Sequence, residues 1–152
     1  MHIDQIDVYH VAMPMKETWR TAFSEMDRID SVMVRLVAEG FVGWGEAAPY
    51  AAPNYCPEFA SGAFAVIRDW LAPAILGREI PSGETLHARF APFKGNQFAK
   101  AAIDIGVLTY RFIRKYVDRR PPLPLTLRQV DPLIRQLTLY RALIDHKTGD
   151  PT

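Results

Sequence analysis

The chain has 152 residues, of which 49% are hydrophobic and 23% are charged, a composition typical of a globular domain with one hydrophobic core. Its only cysteine, Cys56, excludes an intrachain disulfide, and the charged, alternating N-terminal sequence MHIDQIDVYHVAMP is unlike a secretory signal peptide. No apolar run approaches the roughly 20 residues of a membrane helix. We therefore predict a cytoplasmic protein without a membrane partner.

Charge is distributed unevenly along the chain, although the formal net charge is only +1. Residues 1–106 contain nine Lys and Arg against thirteen Asp and Glu, a balance of −4, whereas residues 107–152 contain nine against four, a balance of +5. The second segment also contains no Glu and includes the stretch PPLPL. We predict a folded domain over 1–106 and a divergent basic, proline-containing tail over 107–152, which is either partly helical or disordered.

Hydrophobic alternation predicts three antiparallel strands near the N-terminus. The stretch IDQIDVYHVAMP directs Ile6, Val8 and His10 to one face and predicts a strand that ends at Pro14. Residues 15–29 show no clear period and are predicted to form a long irregular connection. The β-branched stretch SVMVRLVAEG predicts a second strand, and its final glycine permits a tight turn into a third, FVGWGEAAP.

A helical pattern follows the proline-broken loop YAAPNYCP. Pro73 predicts a kink or an early end within this helix, and Gly77 is placed to end it. A short helix is predicted to begin at Ser82 or Thr85. The predicted buried face of the first helix comprises Phe59, Ala63, Val66, Ile67, Trp70, Leu71 and Ala74.

Asn96 is predicted to cap a third helix. The predicted buried face of this helix comprises Phe98, Ala101, Ala102 and Ile105. Three strands followed by three helices predict an α+β fold, with the helices on one side of a small sheet. Residues 133–144 show a further helical pattern.

The sequence lacks the spacing of a metal or nucleophile site. Its four histidines are scattered, without His-x-x-x-His or Cys-x-x-Cys spacing, and Cys56 is interpreted as an inert small residue. The three glycines of GFVGWGE lie in a strand rather than at a strand-to-helix turn, which argues against a phosphate-binding loop. Glu46 is either a catalytic carboxylate or a structural hydrogen-bond partner, and the second is favoured because no second carboxylate motif accompanies it.

Large aromatic side chains occur in the two irregular connections. Trp19 and Phe23 lie in the first, and Tyr50 and Tyr55 lie in the second. Loops that carry such side chains either fold back on the core or line a ligand pocket. The residues alone leave both alternatives open.

The order of several motifs resembles a known family. A first strand ending in MP leads into the loop TWRTAF, and a hairpin ends in GFVGWGEAAP. The loop PNYCPE opens a helix that runs into LAPAILG, and FKGNQFAKAAIDI closes the set. This ordered set, over about residues 1–108, resembles the N-terminal capping domain of the enolase superfamily. Within that superfamily it is most similar to the muconate-lactonizing-enzyme subgroup, which includes o-succinylbenzoate synthases and N-acylamino acid racemases.

The resemblance implies roles for the two loops. In this family the α+β domain folds over the mouth of a (β/α) barrel, and its loops close on the substrate. The implied substrate-binding residues are Trp19, Arg20 and Thr21 in the first loop and Tyr50 and Tyr55 in the second, with Trp19 against the acyl part of the substrate. Aromatic groups on closing loops exclude water and enclose an apolar chain without taking part in bond making.

The sequence departs from this family beyond residue 106. The family chemistry is proton abstraction next to a carboxylate, giving a Mg²⁺-stabilised enediolate, and it uses a Lys-x-Lys, a further Lys and three acidic metal ligands on barrel strands. Such a barrel needs on the order of 200 residues or more. The 46 residues after Gly106 contain no Lys-x-Lys and no Glu. We therefore predict no catalytic residue, no metal ligand and no cofactor in this chain, and we expect it to be inactive alone.

Three functions are compatible with these observations. The first is a truncated o-succinylbenzoate synthase or N-acylamino acid racemase-like protein, of the lyase or isomerase class, which handles a small N-acylamino acid or succinylbenzoate-type substrate only if a barrel is supplied. The alternative is a non-catalytic interaction module that forms a homo-oligomer or pairs with a barrel-bearing chain. The third and least favoured is a nucleic-acid-binding tail, which would depend on Arg111, Arg114, Lys115, Arg119 and Arg120.

Overall fold

The computed structural model describes residues 1–22 and 25–117, which form an α+β fold. The strands pair antiparallel in the order β1-β2-β3, and they are β1 (Ile3–Arg20), β2 (Glu25–Ala38) and β3 (Phe41–Ala47). A π-helical segment (Ile67–Leu71) separates the first two of the helices, which are α1 (Ala60–Val66), α2 (Ala72–Ile75), α3 (Gly83–Phe90) and α4 (Gln97–Val117). The predicted fold class and strand order are confirmed, and the described residues contain no (β/α) barrel.

Met1–Lys115 form the first of two units into which the chain divides. The pattern predicted as a helix over 133–144 lies outside the described residues. In the first unit, the hydrophobic core lies between one face of the sheet and the helices. Its fully buried side chains include Val32, Val34, Leu36, Ile67, Leu71, Ile75, Leu86, Ile103 and Tyr110. No helix of the described segments is both long enough and apolar enough to span a membrane.

β1 is longer than the sequence predicts. It continues past Pro14 to Arg20, so most of the segment predicted as an irregular connection is strand. β1 lies at an edge of the sheet, and its register shifts between Pro14 and Trp19. Edge positions and bulges are the settings in which a strand tolerates a residue without an N–H group. The prediction that Pro14 ends the strand was therefore wrong.

A two-residue turn joins β2 to β3, as predicted. Glu39 and Gly40 have φ values of 50° and 79°, and they connect the paired residues Ala38 and Phe41. Positive φ at both turn residues matches the right-handed twist of the flanking strands, and glycine adopts it without a steric cost. β3 ends at Ala47, two residues earlier than predicted.

The glycines of β3 bring the backbone of α4 directly onto the sheet. A Cβ atom at Gly45 would lie 1.8 Å from the carbonyl oxygen of Ala102, and one at Gly43 would lie 2.1 Å from the carbonyl oxygen of Gly106. Both contacts are with helix backbone, so a change of side-chain rotamer cannot relieve them. The stretch GFVGWGE is therefore a packing surface for a helix.

α4 also covers the free edge of β3. The Trp44 N–H group donates to Thr109 Oγ1 at 2.9 Å. The Thr109 hydroxyl lies 2.8 Å from the Trp44 carbonyl oxygen and 3.0 Å from that of Gly106. Because a hydroxyl has one proton, the two oxygens share it as acceptors. Unpaired backbone groups on an edge strand are a template for unwanted strand pairing, and this single side chain occupies both groups of Trp44.

Pro73 perturbs the first helical segment, as predicted. The π-helical turn Ile67–Leu71 lies directly before α2, in which Pro73 is the second residue. Because proline has no N–H group, it cannot donate to the carbonyl of Asp69 one turn earlier, and the helix widens there. Trp70, predicted to be buried, is 61% exposed. Gly77, with φ of 67°, follows the end of α2 as predicted.

Ser82, one of the two predicted starts of α3, is the N-cap of this helix. Ser82 Oγ accepts a hydrogen bond from the Thr85 N–H group at 3.2 Å. Glu84 lies in the first turn, where the helix dipole favours a negative charge. Leu86 and Phe90 form the buried face.

The N-terminus of α4 is capped by a residue that is distant in sequence. The Gln97 and Phe98 N–H groups donate to the two carboxylate oxygens of Glu58, at 2.6 and 2.9 Å. Asn96, the predicted cap, instead donates from its side-chain amide to the Lys94 carbonyl at 2.9 Å. The prediction was wrong because a carboxylate that folds back from another loop satisfies these N–H groups and adds a negative charge at the helix start.

α4 buries a different face from the predicted one. Of the four predicted core residues only Ala102 is buried, whereas Phe98, Ala101 and Ile105 are exposed. The residues that are buried are Ala99, Ala102, Ile103, Gly106, Val107 and Tyr110. Small residues face β3 because the two backbones are in contact there.

α4 passes without interruption through the predicted domain boundary at Gly106. Val107 and Tyr110, which lie beyond it, are buried in the core. The assignment of the residues just after Gly106 to a divergent tail was therefore wrong for the part of the helix that packs in this core. The assignment of the remaining C-terminal residues to a divergent tail stays a prediction.

Candidate functional site

Both connections singled out in the sequence emerge at the same end of the sheet. An antiparallel meander places the C-terminal end of β1, the N-terminal end of β2 and the C-terminal end of β3 together. β3 pairs with β2 only as far as Ala47 and Val32, whereas β1 and β2 remain paired as far as Arg20 and Glu25. The β1–β2 hairpin therefore projects roughly 20 Å beyond β3, at about 3.3 Å per residue. We call the tip of the β1–β2 hairpin, together with loop 48–59, the loop end.

The hairpin tip carries three of the predicted substrate-binding residues. Trp19 lies opposite Met26 and is 56% exposed. Arg20 Nε lies 3.0 Å from Glu25 Oε1, and both side chains are mostly exposed, so this ion pair stabilises the hairpin by at most about 1 kcal/mol. Thr21 follows in the turn and is half-buried. These residues lie on paired strand ends and a short turn rather than in the long irregular loop that the sequence predicted.

Loop 48–59 carries the other two predicted residues, and the structure brings them into contact. The rings of Tyr50 and Tyr55 have centroids 5.5 Å apart and an interplanar angle of 46°, within the usual range for aromatic pairs. Tyr50 is half-buried, but Tyr55 is 70% exposed, so its ring is not folded back on the core. Phe23, the remaining aromatic candidate, lies outside the described residues.

Three hydrogen-bonded contacts anchor loop 48–59. The Tyr50 carbonyl accepts from the Ala60 N–H group at the start of α1, at 3.0 Å. The Cys56 thiol donates to the Glu58 carbonyl at 3.2 Å, and the Glu58 carboxylate holds the first N–H groups of α4. The exposed ring of Tyr55 is thus carried by a backbone that is tied to two helices.

A polar cluster at the base of the hairpin could not be identified from the sequence. His10 Nε2 lies 3.4 Å from Asp30 Oδ1, and Arg28 Nε lies 3.0 Å from Asp30 Oδ2. The Asp30 side chain is only 8% exposed, and the His10 ring stacks on Phe64 at 6.1 Å between centroids. The only sequence signal for this cluster was that His10 continues the apolar face of β1. Its partner Asp30 could not be identified, because that contact depends on how β1 and β2 are aligned. The carboxylate orients the imidazole and pairs with the guanidinium, which fixes the point where the hairpin leaves the core.

Glu46 is a hydrogen-bond partner within the sheet. Ser31, which is fully buried, donates from Oγ to Glu46 Oε1 at 2.6 Å, and its Oγ also lies 3.4 Å from the Ala47 carbonyl. A charged acceptor satisfies the buried hydroxyl, as burial of a polar group requires. This contact agrees with the structural interpretation favoured for Glu46.

The described histidines each face one carboxylate rather than a cluster of ligands. The pairs and their distances are His2 with Asp4 at 3.0 Å, His10 with Asp30 at 3.4 Å and His87 with Asp104 at 3.6 Å. The hydrogen bond to Asp4 raises the pKa of His2. Within residues 1–22 and 25–117 no group of three His, Cys, Asp or Glu side chains is arranged to hold a metal ion. These residues therefore do not fit a magnesium site.

An ionic network joins the β2–β3 turn to α4. Glu39 Oε2 accepts from the Tyr110 hydroxyl at 3.1 Å and lies 2.5 Å from Arg114 Nη1. Burial on its own would raise the pKa of Glu39, but the Tyr110 hydrogen bond and the Arg114 charge outweigh it and lower this pKa. Burial and the bond to Glu39 raise the pKa of Tyr110. Arg111 donates to the Ile80 carbonyl at 3.4 Å, so two of the basic residues considered for nucleic-acid binding serve contacts within the domain.

The part of the chain that matches known proteins is the α+β domain described above. Residues 4–110 match the family described as mandelate racemase / muconate lactonizing enzyme, N-terminal domain. The chain belongs to this family. The matched segment contains both parts of the loop end and extends along α4 to Tyr110, four residues beyond the predicted boundary at residue 106. The resemblance inferred from the sequence motifs is thereby confirmed.

The enzymes to which this chain is similar are more than twice as long as the chain. An N-succinylamino acid racemase from an Amycolatopsis species is 32% identical over 108 residues, which are 71% of this chain and 29% of the relative. An o-succinylbenzoate synthase from Listeria innocua is 29% identical over 108 residues, 70% of this chain and 29% of the relative. The solved muconate lactonizing enzyme from Pseudomonas fluorescens, in complex with muconolactone, aligns with a TM-score of 0.71 at 25% identity, over 75% of this chain and 31% of that one. The chain thus spans about three tenths of their length.

Proposed function

We propose that this domain is the capping domain of an o-succinylbenzoate synthase or N-acylamino acid racemase-like protein, and that its loop end binds the substrate. The observation that carries the proposal is the exposure of two large aromatic rings, Trp19 at 56% and Tyr55 at 70%, at one end of the sheet. Exposed aromatic surface on anchored backbone suits a ligand with an apolar part, because the rings lose water on binding and little order has to be created. The family membership and the two relatives whose names specify a succinyl group support the same substrate class.

The five residues have separate parts in this proposal. Trp19 and Tyr55 enclose the apolar portion of the acyl group, and Tyr50 positions the ring of Tyr55 through their contact. Arg20 exchanges its exposed pairing with Glu25 for a substrate carboxylate, an exchange that costs little because exposed ion pairs are weak. Thr21 shapes the turn beside it.

We also propose that turnover requires a barrel in addition to the described residues. The described residues do not fit a magnesium site, and the 152-residue sequence contains no Lys-x-Lys. In this proposal the lyase or isomerase activity belongs to the domain together with a barrel, in the cytoplasm. Purified chain is assayed with Mg²⁺ for o-succinylbenzoate formation and for racemisation of N-succinylamino acids. Robust turnover by the chain alone would contradict the proposal.

A chimera tests the substrate-binding role directly. Residues 1–110 replace the corresponding segment of the Amycolatopsis N-succinylamino acid racemase, and kcat/KM is measured for the chimera and its variants. Trp19→Ala and Tyr55→Ala are each expected to lower kcat/KM by about tenfold to a hundredfold, mainly through KM, because each removes an apolar contact of roughly 1.5–3 kcal/mol. Trp70→Ala is the matched control, since this ring is 61% exposed but lies on the π-helical segment.

An active chimera in which Trp19→Ala and Trp70→Ala have equal effects would overturn the proposal. A chimera without activity is examined by binding instead. Titration of the inactive chimera with an N-succinylamino acid is followed by tryptophan fluorescence, and saturable quenching that Trp19→Phe abolishes is the expected result. Quenching that persists in the Trp19→Phe variant, or no quenching at all, would contradict the assignment of Trp19.

A further inference from the structure

α4 carries an apolar stripe that the packing of the domain leaves exposed. Its residues, which we call the α4 stripe, are Phe98, Ala101, Ile105, Leu108 and Phe112, at alternating intervals of three and four. That spacing aligns them along one side of a helix, as in a two-stranded coiled coil. Phe98 and Ile105 are 40% and 43% exposed, and Leu108 and Phe112 are 66% and 67% exposed. The stripe is about 21 Å long at 1.5 Å per residue.

Two opposite charges flank the same side of the α4 stripe. Asp104 and Arg111 are seven residues apart, and they occupy equivalent heptad positions next to Ile105 and Phe112. Seven residues are about 10.5 Å along one helix, which is beyond the three- and four-residue spacings at which side chains pair. Asp104 is half exposed and faces His87 Nε2 at 3.6 Å, and Arg111 uses one of its five N–H groups on the Ile80 carbonyl.

We propose that the α4 stripe is an interface between two copies of this chain, with their α4 helices antiparallel. When Ile105 lies against Leu108 of the second copy, the same register places Phe112 against Ala101 of that copy. It also places Asp104 beside Arg111 of the second copy, because equivalent flanking positions face each other in antiparallel pairs. The two-fold axis repeats every contact, so the interface contains two Ile–Leu contacts, two Phe–Ala contacts and two ion pairs.

Shape supports the antiparallel orientation over a parallel one. A groove of about 340 Å³ lies between α3 and α4, and Ala101 and Asp104 are among the residues that line it. The large Phe112 ring of the second copy therefore meets a small residue beside open space. A parallel pair would place Phe112 on Phe112 and Ala101 on Ala101, and would bring neither Asp104 nor Arg111 to an opposite charge. This inference goes beyond the substrate role of the loop end and does not depend on it.

Sedimentation equilibrium of the full 152-residue chain measures the proposed association. We expect a monomer–dimer equilibrium that Leu108→Glu weakens at least tenfold, because the substitution places a charge in the centre of the seam. Leu76→Glu is the matched control, since Leu76 is a 47% exposed leucine outside α4, and it should leave the dissociation constant unchanged. Far-UV circular dichroism checks that both variants remain folded.

A charge exchange tests the register. Asp104→Arg and Arg111→Asp are each expected to weaken dimerisation at least tenfold, and the double variant is expected to restore it to within about threefold of the unchanged chain. Rescue requires the two positions to face each other across the interface, because they are too far apart to pair within one helix. A chain that stays monomeric at all concentrations, single variants without effect, or a double variant without rescue would each overturn the proposal.

Discussion

Replacing Gly45 by alanine tests whether α4 packs backbone to backbone on β3. The added Cβ would lie 1.8 Å from the Ala102 carbonyl oxygen and 2.7 Å from the Gly106 backbone nitrogen. Ordinary contact begins at 3.4 Å, so the helix and strand would have to separate by the difference, 1.6 Å. Neither contact involves a side chain that can rotate away.

The structure allows the cost of that separation to be estimated. Overpacking of a core usually costs about 1–3 kcal/mol, and a radial gap of even about 1 Å forfeits up to half of each van der Waals contact along the interface. The two hydrogen bonds between Thr109 and Trp44 cross the same interface, and each contributes about 1 kcal/mol. We therefore expect Gly45→Ala to lower the free energy of unfolding by about 3–5 kcal/mol.

Urea unfolding followed by far-UV circular dichroism measures this change, with two other glycines as references. Gly83→Ala adds a methyl group with no atom within 4 Å at the start of α3, so we expect a change within about 0.5 kcal/mol. Gly106→Ala is expected to lie between them, because its Cβ would meet the movable end of the Leu36 side chain at 2.7 Å, while alanine gains about 1 kcal/mol of helix propensity. Equal stabilities of Gly45→Ala and Gly83→Ala would refute the close packing of α4 on β3.

Three further predictions concern charges that hold the helices. Glu58→Gln should destabilise the domain by about 1–2 kcal/mol in urea, since it removes one cap hydrogen bond and the charge at the start of α4, whereas Glu84→Gln should cost only a few tenths of a kcal/mol; equal effects would contradict the cap. The pKa of Glu39 is lowered from its ordinary value of 4.5, so its contribution to the free energy of unfolding is present at neutral pH and is lost as the pH falls below 4.5. The difference in stability between the unchanged chain and Glu39→Gln should therefore shrink between pH 7 and pH 3.5. The pKa of Tyr110 is raised from 10.0, so its contribution to the free energy of unfolding is present below pH 10 and is lost as the pH rises further. The loss of stability caused by Tyr110→Phe should therefore become smaller above pH 10, and a loss that stays constant would contradict the raised pKa.

Local sequence signals predicted the strand order, the Glu39–Gly40 turn and the start of α3, because each depends on neighbouring residues. They failed where a distant residue decides the outcome. Pro14 was taken as the end of β1, although a bulge on an edge strand accommodates it. Asn96 is of a residue type that commonly caps helices, but the carboxylate of Glu58, 38 positions earlier in the sequence, takes that role.

The candidate site was predictable in its residue types but not in its geometry. Aromatic residues in two separate connections were evident, and the meander order implies that these connections share one end of the sheet. The sequence could not indicate that Trp19 and Arg20 stand on a projecting paired hairpin, because the pairing depends on a register shift inside a segment without periodicity. The His10–Asp30 contact was hidden for the same reason, since it joins two strands whose alignment only the fold determines.

The difference between the predicted and the observed buried face of α4 has a single physical cause. Hydrophobic periodicity gives most weight to large apolar residues, and it therefore selected Phe98 and Ile105 for the core. A helix that rests on the glycines of β3 has room only for small groups at the contact, so Ala102 and Gly106 occupy it. The larger side chains are left on the opposite side, where they form the α4 stripe. The close packing tested at Gly45 and the exposed stripe tested at Leu108 are thus two consequences of the same contact between β3 and α4.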